Sequence, residues 1–290
     1  MTTVYELPPE LFERARPVLG HPPADYAYID AGLTGINPAR VFVDDAHQPT
    51  SALMTRTYEY FVGGAVGTGV SGFIRDAPLE ADIWAHFYGF VAVDAPWNDH
   101  LRSLHPDLET IERRTFRFDP ERIESVKGWP ERVPEGLSLV PLTAELARMA
   151  DREMPEVIGM FWSGYANFAE HGFGALMLDG DKPVSTTFAV AVGGGEANVG
   201  VMTIESHRRR GLATVCGQAC IEMAHERNLV TTWDCDSPNV ASGELAKRIG
   251  FTEQEPFVEL AFPNRARPGQ SSGLWVADPM ENGIVAWTRD

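Results

Sequence analysis

Residues 208–213, Arg-Arg-Arg-Gly-Leu-Ala, are the part of this sequence best suited to hold an anion. They stand between a run that alternates like a strand, residues 197–205, and a run with apolar residues at helical spacing that starts at Ala213. Such a turn leads into a helix N-terminus. There the first N–H groups lack partners within the helix, and the helix dipole places partial positive charge. Gly211 lets the backbone come close to a phosphate, and Ala213 is small enough to serve the same end. Arg208, Arg209 and Arg210 add formal charge. Taken alone the turn has little specificity, because many strand–turn–helix units carry glycine and arginine.

Three cysteines offer a second kind of chemistry. Cys216 and Cys220 are four apart and share one face of a helix, while Cys235 stands alone. No further ligand lies at metal-site spacing nearby, so no metal is expected and all three read as small buried residues or free thiols.

The elements that position the anion-binding turn follow from periodicity. Val199, Val201 and Thr203 fall on one face of a strand, with Met202 and Ile204 on the other. Beyond the turn, Ala213, Cys216, Gly217, Cys220, Ile221 and Ala224 form an apolar helical stripe, and Glu222 and Glu226 lie on the wetter side. A short strand at 229–233 precedes a turn at 236–239, and helix 240–249 is stopped by Gly250. Upstream, strands 174–178 and 183–192 flank Asp179-Gly180-Asp181, a hairpin signal, with helices at 143–150 and 161–170. Strands 251–262 and 274–287 end the chain.

The first half is mixed: helix 11–19, strands 40–43 and 55–62, helix 76–87, strand 89–94, a turn or short helix at 95–104 and strand 110–119. Residues 127–141 carry three prolines and two glycines, which suit neither a helix nor a central strand. This run is the expected boundary between a first domain, 1–130, and a second, 136–290.

Charge narrows the partners. The formal net charge is -17, divided as -9 over residues 1–135 and -8 over the rest. Neither half has the basic surface that nucleic acid or an anionic membrane requires. No run approaches the ~18 apolar residues of a membrane span. The N-terminus lacks a basic region followed by an apolar core, so a cytoplasmic location is expected. An acidic surface suits a cationic amine, and equally suits solubility.

With the turn and its flanking elements in place, the chain resembles the GCN5-related N-acetyltransferase (GNAT) superfamily. That superfamily's signature, Arg/Gln-x-x-Gly-x-Gly/Ala, is met by Arg208, Gly211 and Ala213. A second signature follows in Asn239, Leu245, Gly250 and Phe251, and the likeness covers roughly residues 140–262. The chain is similar in more detail to a bacterial branch with an additional N-terminal region. That similarity rests on residues 171–174, Glu205 with 208–213, Trp233-Asp234 before Asn239 and Ser242, and the run 41–45 with Pro49. The resemblance implies an α/β (α+β) fold, a mixed central sheet flanked by helices, in two tandem GNAT-like domains. It also implies a degenerate first domain, and residues 1–135 indeed contain no Arg-x-x-Gly-x-Gly/Ala turn.

The resemblance further implies an acetyl-CoA-dependent N-acetyltransferase acting on an amine, most simply that of a small molecule, with a homodimer as the candidate assembly. The pyrophosphate would sit on backbone N–H groups of residues 209–213, next to Arg208 and Thr214. The pantetheine arm would be aligned by strand 197–205, at Met202 and Ile204, with an amide near Met202 polarising the thioester carbonyl. Asn239 and Ser242 are further candidates to contact CoA, with helix capping the plainer reading of Asn239. Glu205 is a candidate general base, against plainer readings as a surface carboxylate or a cap; Asp234 is a candidate to bind or deprotonate the amine, against a turn residue or an arginine partner. Trp162 and Tyr165 are candidates to line an acceptor cleft, against an aromatic core. The superfamily's tyrosine acid, which follows the leucine of the second signature, is absent, because Leu245 is followed by Ala246. Tyr165, His171 and His207 are conceivable replacements. The alternative is a catalytically silent CoA-binding or sensory module.

Overall fold

The computed structural model describes residues 2–20, 26–56, 59–76, 89–154, 158–263 and 276–289. The chain forms two compact units, Met1–Glu112 with Phe257–Asp290, and Arg113–Pro256.

In the first unit, β1 (Thr2–Leu7) is followed by helices α1 (Arg16–Leu19) and α2 (Tyr26–Leu33). Next come β2 (Arg40–Val43), β3 (Ser51–Thr55) and β4 (Glu59–Gly64), then α3 (Gly69–Asp76), β5 (Gly89–Ala92) and α4 (Ala95–Leu104). Strand β6 (Glu109–Arg117) carries the chain into the second unit. There lie β7 (Leu137–Pro141), α5 (Ala144–Glu153), α6 (Tyr165–His171), β8 (Gly174–Asp179), β9 (Lys182–Gly193) and β10 (Glu196–Thr203). Helix α7 (Leu212–Glu226), β11 (Val230–Asp236) and α8 (Val240–Ile249) follow. Strand β12 (Thr252–Ala261) returns to the first unit, which β13 (Val276–Pro279) and β14 (Val285–Arg289) complete.

The first unit's strands run in the order β13-β14-β1-β2-β3-β4-β5-β12. Of these pairings, that of β4 with β5 is parallel. All five residues of β3 are buried, as expected for a strand covered on both faces. Val70, Phe73 and Ile74 on α3, at helical spacing, join Phe42, Leu53, Tyr60 and Leu260 in one core cluster. In the second unit the order is β6-β11-β10-β9-β8-β7, and β10 pairs with β11 in parallel. Its core packs Leu212, Val215, Cys216 and Ala219 of α7 on Ala175, Met177 and Val184.

Several elements differ from the sequence expectations. The units do not part at 130–136. Strand β14 pairs with β1 from Thr2↔Arg289 onward, and Leu260 of β12 pairs with Phe90 of β5, so the chain's end completes the first sheet. The proline-rich run belongs to the second unit: Trp129 and Val133 pack on the α7 cluster, and the Trp129 indole donates to Glu222 at 2.7 Å. The single strand expected at 55–62 is two strands, because the chain reverses where Arg56 N–H donates to the Glu59 carbonyl at 3.1 Å. The helix expected at 76–87 and the start of the strand at 274 lie outside the described residues.

The two units repeat one arrangement. Strand β4 is antiparallel to β3 and parallel to β5, with α3 between them; β10 is antiparallel to β9 and parallel to β11, with α7 between them. The first unit even carries a Gly-x-x-Gly-x-Gly run, Gly64 to Gly69, at the corresponding turn, without the leading arginine. Its own residues fill that turn. The Gly64 N–H donates to the Asp94 carboxylate at 2.6 Å, and the Gly64 carbonyl accepts from the fully buried Trp97 indole at 2.9 Å. A Cβ at Gly64 would stand 2.1 Å from the Thr50 carbonyl oxygen. The β4–β5 ladder runs unbroken from Glu59↔Gly89 to Val62↔Ala92, so these strands stay together.

Candidate active site

The strands of the second unit do not stay together. β10 and β11 pair only over residues 196–198 and 230–232, although β10 continues to Thr203 and β11 to Asp236. At that point β9 carries an extra residue, Val190: Asn198 faces Ala191 but Val199 faces Ala189. A bulge of this kind sharpens the local twist. The β11 side of residues 199–203 is left without a ladder partner among the described residues.

Alternation decides which amides face the opening. The Ile204 N–H donates to the Val184 carbonyl of β9 at 3.1 Å, and Met202, two residues back, shares that side. The Gly195 carbonyl accepts from the Val230 N–H at 3.0 Å, on the β11 side. The odd-numbered Val201 and Thr203 therefore present their backbone groups to the opening; Met202's own amide faces β9, so the amide expected near Met202 is one of its two neighbours'.

A cavity of about 430 Å³ lies at the end of this β10 segment, lined by residues 201–203, by 207–209 and 211–214, and by one side of α8. At its floor Gly211 takes the left-handed conformation, φ 81°, and begins α7 with no side-chain cap and no acidic residue in the first turn. A Cβ on Gly211 would meet nothing within 4 Å, so the glycine answers to backbone conformation and leaves the helix end open. Arg209 is also left-handed, φ 61°, which is uncommon outside glycine. The Arg208 guanidinium donates through Nε to the Thr203 carbonyl at 3.1 Å, which lays it along the end of β10. His207 bonds Asp179 at 3.2 Å and Ser206 at 2.9 Å.

The α8 wall starts at Asn239, whose side chain caps the helix by accepting from the Ser242 N–H at 3.2 Å. The Ser242 hydroxyl accepts from the Trp233 indole at 3.0 Å, tying α8 to β11. Leu245 and Arg248 continue the same face. Ala246 is wholly buried, so position 246 faces the core and the lining passes from Leu245 to Arg248.

Of the residues expected at the site, Met202, Arg208, Arg209, Gly211, Leu212, Ala213, Thr214, Asn239 and Ser242 meet at this one cavity. Arg210 is exposed and outside the lining, and Ile204 packs on the α7 core cluster. Glu205 is exposed in the short turn beyond β10, also outside the lining. Asp234, its side chain 3% exposed, is ion-paired with Arg113 and accepts from Asn198 Nδ2 at 2.9 Å. Its carboxylate braces the fork where β10 and β11 part, the arginine-partner role. Trp162 is a core residue, 3% exposed; its indole donates to the Ala189 carbonyl at 3.0 Å and its ring packs edge-on against Phe168. Tyr165 donates to Asp151 at 3.1 Å and lies under the Arg148 guanidinium, joining α6 to α5. Of the three alternative acids, His207 lines the cavity, whereas Tyr165 and the exposed His171 do not.

All three cysteines are free and buried. Burial pushes the Cys216 thiol up to about 12, and burial likewise raises Cys220 and Cys235, which keeps them protonated and poor nucleophiles. Sequence reading missed Val201, Thr203 and Arg248. Arg248 was accessible to it, standing three residues beyond Leu245 and six beyond Ser242. The two strand amides were not, because which side an amide faces depends on the register with β9.

A parallel strand pair that parts beside a glycine turn and an uncapped helix, with a cation-rich cleft along the β10 end, is the arrangement expected of an acyl-transfer enzyme of the GNAT type. Residues 23–260 match the GNAT acetyltransferase family, and the chain belongs to that family as an N-acetyltransferase. It is 26% identical over 221 residues to the uncharacterized N-acetyltransferase YdfB of Bacillus subtilis strain 168, covering 74% of this chain and 82% of that protein. The fold resembles that of a GCN5-related N-acetyltransferase-like protein from Streptococcus suis 89/1591, with a TM-score of 0.66 and 20% identity, over 87% of this chain and 98% of the other. It also resembles a tandem GNAT protein from the clavulanic acid biosynthesis pathway, with a TM-score of 0.54 and 14% identity, over 89% and 97% of the two chains. No helix among the described residues is long and apolar enough to cross a membrane.

Proposed function

We propose that this N-acetyltransferase takes its acetyl group from acetyl-CoA and passes it to the amine of a small cationic molecule by direct attack. One observation carries the reading: a cavity that, among the described residues, is free of carboxylates lies at an uncapped helix N-terminus and continues along a strand edge that has no ladder partner among those residues. In a chain of 41 acidic and 24 basic residues, a lining with three arginines and no Asp or Glu favours a polyanionic ligand. The pyrophosphate belongs on the N–H groups that open α7, and the amides of the pantetheine arm on the backbone groups of Val201 and Thr203.

This arrangement sends the thioester toward the fork, away from the turn. We assign the Val201 N–H to the carbonyl oxygen, where it offsets the charge that develops as nitrogen attacks carbon. Glu205 stands four residues past Val201, roughly 13 Å of extended chain, at the phosphate end. The attacking amine therefore loses its proton to water, and the thiolate leaves and is protonated by solvent. Asp234, ion-paired with Arg113, holds the fork with Asn198 and is assigned no catalytic part. The acidic surface draws a cationic acceptor, and three free thiols fit a reducing cytoplasm.

Release of free thiol from acetyl-CoA, followed across a panel of small amines, tests the proposal. Saturable CoA binding with amine-dependent thiol release is expected. Normal CoA binding with no release from any amine would point to a silent CoA-binding module, and absence of CoA binding would refute the reading of the cleft.

A further inference from the structure

The cleft holds more positive charge than a pyrophosphate needs, and the surplus is set apart. A pyrophosphate diester carries two negative charges. Arg208, Arg209 and the partial charge of the α7 N-terminus already answer them from one side of the cavity. Arg248 lines the cavity from a different element, on the face of α8 that carries Ser242 and Leu245. It is six residues, about 9 Å of helix rise, beyond Ser242.

Arg248 is also unlike its neighbours. Lys247 beside it is bound by Glu253 at 2.9 Å and Glu244 at 3.7 Å, and Arg113, Arg114 and Arg117 each pair with a carboxylate. Arg248 has no ion pair and no side-chain hydrogen bond among the described residues. In so acidic a chain, a cation left without a carboxylate at the edge of a carboxylate-free cavity is placed for an anion from outside. His207 does not fill this role, since Asp179 already faces it. The placement near the C-terminal end of α8 would by itself suit a cation through the helix dipole, so the test must separate that effect from binding.

We propose that Arg248 binds the 3′-phosphate of the CoA ribose and makes the enzyme discriminate against carriers lacking that group. The inference rests on the acyl-CoA reading of the cleft. A phosphate monoester brings about -1.5 to -2 charge, and an arginine meets it through charge-assisted, often bidentate, hydrogen bonds.

Calorimetric titration of the intact chain with CoA and with 3′-dephospho-CoA tests it. The unmodified protein should bind CoA about tenfold more tightly than the dephosphorylated form. Arg248→Gln should bring that ratio close to one while leaving the 3′-dephospho-CoA affinity unchanged, which also shows that the variant is folded. Arg248→Lys should keep part of the ratio, and Arg210→Gln, outside the lining, all of it. Equal binding of both ligands by the unmodified protein would overturn the assignment and leave the acyl-CoA reading standing. So would an Arg248→Gln variant that weakens both ligands alike. Binding of neither ligand would overturn both.

Discussion

Replacing Ala213 by aspartate should move stability and binding in opposite directions. Ala213 is the second residue of α7, partly exposed, and lines the cavity. The N-cap is a glycine without a side-chain bond, and no acidic residue occupies the first turn. A carboxylate there meets unopposed N–H groups and the positive end of the dipole, which stabilises the folded chain by about 0.3–1 kcal/mol. In a protein of this size that raises Tm by roughly 1–4 °C. The same charge stands where two phosphate charges are expected. At about 5 Å, each pair costs about 0.8 kcal/mol even at the dielectric of water, and more as the cleft excludes solvent. About 2 kcal/mol in total weakens CoA binding roughly thirtyfold. Ala213→Asn, of nearly the same shape, separates size from charge and should lose much less affinity. Thermal melts and calorimetry in low salt, repeated in about 0.5 M salt where screening narrows the gap, give both quantities. A charged variant that binds CoA within twofold of the original, or that loses as much affinity as the asparagine variant, would refute the placement of the pyrophosphate.

Two further outcomes follow from other parts of the molecule. Because Asp94 and Trp97 close the turn of the first unit, CoA should saturate at one per chain in calorimetry. Two sites per chain would show that the Gly64–Gly69 turn opens. Arg114 and Lys247 hold the Glu253 carboxyl down from 4.5 to about 2. A carboxyl depressed in the folded state adds stability above its unfolded pKa, and that stability is lost as pH falls through the folded value. Glu253→Gln should therefore flatten part of the decline in Tm between about pH 4.5 and pH 2. The effect should be modest, since the pair is partly exposed. Parallel curves for the two proteins would contradict it.

The second half of the chain was more legible than the first because its local signals agree with its tertiary packing. From Cys216 to Ala224 the apolar stripe of α7 is buried, while Ala213 at its start is partly exposed to the cavity, and Asn239 and Gly250 sit at the ends of α8 as a cap and a stop. The unit boundary was hidden because proline and glycine mark a break in regular structure, not a break in packing: Trp129 and Val133 anchor the proline-rich run to the α7 core. That Leu260 and residues of β14 complete the first sheet is a long-range pairing with no local signature. At the site, the turn could be read from residue types alone. Its counterpart at Gly64 shows why residue types do not suffice. Both turns join parallel strands through a helix and both carry spaced glycines, yet one lies beside an opening and the other is closed. What separates them is whether the parallel strands part after the last shared pair. In the first unit Asp94 and Trp97 hold the Gly64 backbone, and the ladder runs to its end. In the second, the extra residue in β9 and the Asn198–Asp234–Arg113 brace stand where the ladder stops. The capacity to bind a long anionic ligand thus resides in the fork as much as in the glycine turn.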